Sequence, residues 1–117
     1  MNHIDGFVAA VPDHRREDYL AFARKFAALF KEYGALRVVD CWGDDVPEGK
    51  LTSFALAVKR EPAVTVIFGW VEWADKAARD AGWRRIEADP RMDPGASAMP
   101  FDGKRMIFGA FQTISDL

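Results

Sequence analysis

A chain of 117 residues with nine Phe and four Trp, half of it hydrophobic, can pack one domain and lacks the signature of disorder. Sixteen basic residues against eighteen acidic ones give a formal charge of −2, which leaves no basic face for nucleic acid. No stretch approaches the ~20 apolar residues that span a bilayer, so neither nucleic acid nor membrane is an expected partner.

Cys41 is the only cysteine, which excludes an internal disulfide and suits a reducing cytosol. The apolar run over residues 7–11 is too short for a secretory signal, and a cytoplasmic location is expected.

Residues 4–11 read as a strand halted by Pro12, whose missing N–H cannot serve a ladder. Asp13 then offers an N-cap. Tyr19, Phe22, Phe26, Phe30 and Tyr33 recur at helical spacing, which predicts a helix with one broad aromatic stripe. Gly34 supplies the residue that ends it. Residues 35–42 form a second strand, and the polar stretch 43–50, with Pro47 and Gly49, a turn region. Residues 51–59 and 64–73 read as two strands joined by a short loop at 60–63. Asp75 caps a second helix that runs to about Ala88, ahead of Pro90. An irregular connection over 91–103 leads to a last strand over 104–113.

The order is β-α-β-β-β-α-β. With one of the middle strands set aside, it is the split β-α-β arrangement of an α+β, ferredoxin-like domain, two helices on one face of an antiparallel sheet. Strands 4–11 and 64–73 are expected to be central and parallel, with 35–42 and 104–113 outside them. A half-covered sheet alternates apolar and polar residues, yet residues 64–71 and 106–108 hardly do. Both faces of the sheet should therefore be covered, and a second copy packed sheet to sheet is the economical cover. The expectation is a homodimer whose sheets form a shared α/β barrel, in a single domain over residues 1–117.

Several short stretches then carry a resemblance: Asp5-Gly6-Phe7-Val8 with Val11-Pro12, residues 29–37, Cys41-Trp42, Asp45-Val46-Pro47 and Gly49-Lys50. Two more specific ones are Asp89-Pro90-Arg91-Met92 and residues 99–106. Together they make the chain similar to the YbaA-like proteins, a domain-of-unknown-function family in the dimeric α/β-barrel superfamily. The resemblance implies a ferredoxin-like fold and a dimer, and it implies no reaction. That superfamily spans cofactor-independent monooxygenases, haem-degrading enzymes, isomerases and ligand sensors, and kinship at that level does not transfer function. The chain departs from the family pattern at Ala74-Asp75, where Pro-Ser is expected, and at Trp83, where a polar residue is expected.

The parallel assignment gathers His14, Glu72, Asp102, Lys104 and Arg105 at one rim of the sheet. A carboxylate beside a histidine or lysine can serve as general acid or base, which makes Glu72 and His14 the catalytic candidates. Surface ion pairs at strand ends are the bland alternative. Trp70 shares a strand face with Glu72 and is a candidate stacking platform, with Phe101, Asp102, Lys104 and Arg105 beside it as ligand-binding candidates. Arg91, at the end of the second helix, is a candidate for holding a carboxylate or phosphate, or for satisfying the last carbonyls of the helix. Asp5 and Asp40 form an acidic pair at the opposite end, with Asp5 most simply hydrogen-bonded to a turn. Cys41 is most simply a core residue.

Neither His3 nor His14 has metal-ligand spacing, so no metal and no cofactor is called for. The leading functional reading is a dimeric protein that binds a small apolar or aromatic molecule between sheet and helices, with a cofactor-independent reaction open to it. A ligand-sensing module that works through partners, without turnover, and a purely structural dimer are the competing readings.

Overall fold

Pro12 ends the first strand, β1 (His3–Pro12), and a single 3-10 turn over Asp13–Arg15 leads into α1 (Arg16–Glu32). The computed structural model describes residues 2–92 and 99–117. Asp13 does not cap α1 as expected: its carboxylate accepts from the Thr65 hydroxyl, and the helix starts three residues later without a side-chain cap. At the other end Gly34 adopts φ +111°, its N–H donates to the Lys31 carbonyl, and the Ala35 N–H reaches back to Phe30 at 2.9 Å. This paired closure satisfies the carbonyls that a helix end leaves open, and glycine permits its positive φ without steric cost.

β2 (Arg37–Trp42) follows. The strand expected over residues 51–59 is absent. The Ser53 hydroxyl accepts the Leu56 N–H at 2.9 Å and caps one turn of helix, α2 (Phe54–Ala57). A short apolar run carries no periodicity that separates strand from helix, and the cap decides. β3 (Val64–Trp73) forms as expected, and Asp75 caps α3 (Lys76–Glu87) by accepting the Ala78 N–H at 2.8 Å. Further 3-10 turns span Pro90–Met92 and Gly103–Arg105 before β4 (Ile107–Gln112). Residues 93–98 of the expected irregular connection lie outside the described residues.

The sheet has four strands in the order β2-β3-β1-β4, and every adjacent pair is antiparallel. This corrects the expected parallel pairing of β1 with β3: His3 faces Trp73, and Pro12 faces Val64. α1 carries the chain back over the sheet, so β2 runs in the same direction as β1. β3 lies between those two and is antiparallel to both. The result is the ferredoxin-like α+β fold, with the surplus middle strand replaced by α2.

Because side chains alternate across a strand, the register sorts the residues into two faces. Phe7, Ala9, Val11, Ile67, Val71 and Trp73 meet α1 and α3 through Tyr19, Ala23, Leu29 and Ile86. On the opposite face Val8, Ala10 and Val66 are covered by Ala55 and Val58, from and just after α2, with Val46 packed against them. Beyond that small cover, Phe68, Ile107 and Phe111 are 43, 44 and 60% exposed.

Candidate functional site

The aromatic stripe of α1 does not fill the space beneath it. Between α1 and the sheet lies an open-mouthed cavity of about 590 Å³. Tyr19, Phe22, Phe26 and Phe30 line its helix wall, and Phe7, Ala9, Val38, Ile67 and Val71 its floor. Met92, Met99, Phe101, Met106 and Phe108 border it from the connection before β4 and the first part of that strand. The Phe101 ring packs edge-on against Phe22 at 5.8 Å and tilts toward Tyr19 at 6.0 Å. Gly69 lets the floor lie flat, since a Cβ there would fall 2.3 Å from the Phe7 ring. The group whose close approach Gly69 permits is therefore Phe7.

Anchored polar groups enter this apolar space at two points. The first is Asp5, buried on β1. Its Oδ2 accepts the indole N–H groups of Trp73 and Trp83, each at 2.8 Å, and Arg79 binds the same carboxylate, with its Nη2 at 3.0 Å from Oδ1. A carboxylate is costly to bury unless its lone pairs are met, and here β3 and α3 meet them. Asp5 thus binds side chains rather than the expected turn. Trp83, the departure from the family pattern, is its partner and not an ornament of the outer helix surface.

The second point is Asp40 on β2, at the cavity margin. The Tyr19 hydroxyl donates to its Oδ1 at 2.7 Å. Burial, then the hydrogen bond to Asp40 and its charge, raise the Tyr19 phenol above its ordinary value and keep it protonated. Partial desolvation raises the Asp40 carboxyl, opposed by the Tyr19 hydrogen bond. Asp5 and Asp40 do not face each other as a pair: β3 lies between their strands, and their register partners, Val71 and Gly69, are two residues apart.

The rim expected from parallel strands does not form. Glu72 lies opposite Ile4, at the start of β1, whereas His14 follows the end of β1. Glu72 faces the open side of the sheet and lies 3.9 Å from Arg37. His14 is exposed in its 3-10 turn. Trp70 also faces the open side, tilted against Phe68 at 5.8 Å, and does not line the cavity. The Asp102 carboxylate accepts the Lys104 N–H at 3.0 Å and shapes the turn into β4. Arg105 pairs with Glu61 and Asp102. Arg91 binds Asp89 and Glu32, tying the end of α3 to the end of α1. Cys41, expected in the core, is exposed on β2, an edge strand.

Of the expected ligand-binding residues, only Phe101 borders the cavity. Tyr19 and the phenylalanines of α1 were legible only as a core stripe, because periodicity gives the face of a helix and not what lies against it.

A family model described as "Protein of unknown function (DUF1428)" matches residues 2–103. The chain belongs to the DUF1428 family. Its relatives in this family include the Uncharacterized protein YbaA of Escherichia coli strain K12 and that of Shigella flexneri. Each is 51% identical over 116 residues, covering 99% of both chains. A crystal structure described as a dimeric ferredoxin-like protein from an uncultured marine organism superposes along the full length of both chains. It does so with a TM-score of 0.61 at 13% identity. That likeness carries the ferredoxin-like fold.

Proposed function

We propose that this DUF1428 protein binds a small apolar or aromatic molecule in the cavity between α1 and the sheet, and that it does so as a homodimer. The observation that carries the reading is the cavity itself. Its volume of about 590 Å³ falls within the roughly 300–1,000 Å³ of small-molecule sites, and its walls are aromatic and aliphatic with few polar groups. Phe101 contributes one wall, and the Phe22 and Phe26 rings, 4.5 Å apart, offer faces for an aromatic guest.

The other side of the sheet supports the dimer. Phe68, Ile107 and Phe111 are exposed there beside Trp70, an apolar patch of the kind that marks an interface. The marine ferredoxin-like protein is described as dimeric, which supports the same assembly for this fold. Trp70 then serves the dimer face and not the ligand.

A thermal-shift panel of neutral mono- and bicyclic aromatics tests the cavity. Members of the panel should raise the melting temperature of the wild type and leave the cavity-filling variant Ala27→Trp unmoved. A panel that shifts neither protein, or both equally, rejects the site.

A further inference from the structure

The polar lining of the cavity is unbalanced. Three carboxylates, Asp5, Asp40 and Glu87, face one guanidinium, Arg79. The side-chain donors there are already engaged: Tyr19 on Asp40, Trp83 on Asp5, and Arg79 on Asp5 and Asp80. A guest would find acceptors and an anionic surround, which disfavours a carboxylate or phosphate ligand.

The three acceptors are not equivalent. Asp5 is spent on two indoles and Arg79. Glu87 and Asp40 are both exposed, but no described residue anchors the Glu87 carboxylate. Asp40 is held through Oδ1 by the buried Tyr19, while its Oδ2 accepts nothing from any described residue. An acceptor fixed at one oxygen and open at the other is preorganised, so a donor docking on it forfeits little side-chain freedom.

We infer that the cavity selects a neutral aromatic molecule bearing a hydroxyl donor, which hydrogen-bonds to Oδ2 of Asp40 while its rings lie along α1. The inference rests on the cavity being the binding site, and it adds the chemical class of the guest.

Calorimetric titration with 1-naphthol, 1-methoxynaphthalene and 1-naphthoate tests it. The wild type should bind 1-naphthol at least tenfold more tightly than its methyl ether, and 1-naphthoate more weakly than either. The double variant Tyr19→Phe/Asp40→Leu removes both members of the pair and strands neither, so the tenfold preference should vanish with binding retained. Asp40→Asn keeps the shape, if the double variant fails to fold, and should lower the preference at least threefold. Equal binding of naphthol and ether by the wild type, a preference that survives these variants, or tighter binding of naphthoate overturns the hydroxyl assignment and leaves the cavity as the site. Absence of binding by all three probes at millimolar concentration overturns the cavity reading and this inference with it.

Discussion

The Trp83 indole on α3 donates to the Asp5 carboxylate on β1 at 2.8 Å, joining residues 78 positions apart. Together with Trp73 and Arg79 it makes Asp5 the polar fastening between α3 and the sheet. Asp5→Ala would leave two indole N–H groups without their acceptor and the Arg79 guanidinium with Asp80. We expect a loss of about 3–5 kcal/mol, because removing one partner of a buried pair leaves the other uncompensated. Trp83→Phe keeps the ring and loses one hydrogen bond to a charge, worth about 1.5–3 kcal/mol. Urea denaturation of both variants checks the order and the sizes.

Gly69 and Phe7 occupy one space. A Cβ at Gly69 would lie 2.3 Å from the Phe7 ring and 2.7 Å from the Val39 carbonyl. Gly69→Ala should cost about 1–3 kcal/mol, as overpacking usually does. Combining it with Phe7→Ala should be less than additive, since the ring contact is removed while the carbonyl contact remains. A double-mutant cycle by chemical denaturation gives the coupling.

Asp89 predicts a pH dependence. The Arg91 side chain, then the Tyr33 hydroxyl at 2.7 Å, then the Arg91 N–H hold its carboxyl well below the ordinary carboxylate range. A carboxyl lowered in the folded state binds fewer protons there than in the unfolded chain. Its contribution is therefore present above the ordinary Asp value of about 4 and fades as pH falls below that. The melting-temperature gap between the wild type and Asp89→Asn should be full at neutral pH and should narrow steadily below about pH 4. A gap that is constant with pH would contradict this role.

The open sheet face predicts the behaviour of the assembly. Phe68 is 43% exposed there and packs edge-on against Phe54 at 6.0 Å. In the proposed homodimer the wild type sediments as a dimer at micromolar concentration. Phe68→Glu places a charge in an apolar contact and should yield a folded monomer. A monomeric wild type at that concentration overturns the dimer.

Local chemistry set several elements before any packing. The stripe from Tyr19 to Tyr33 fixed α1 and its inward side, Gly34 its end, Asp75 the start of α3, and the apolar run 64–73 the strand β3. Each is a matter of periodicity, a cap or a backbone preference within a few residues. The direction of β3 against β1 came with the assembled sheet, since a strand reads alike in either direction until its neighbours are known. That reversal separates Glu72 from His14 and dissolves the expected rim. The tertiary structure also turned residues 54–57 into a helical turn, where Ser53 supplied a hydrogen bond that a weak apolar pattern could not outweigh. It brought Asp5 to Trp73 and Trp83, and it left the space under the phenylalanines of α1 unfilled. Pairings between strands and contacts between layers join residues distant in sequence, so their geometry exists only once the whole sheet has formed.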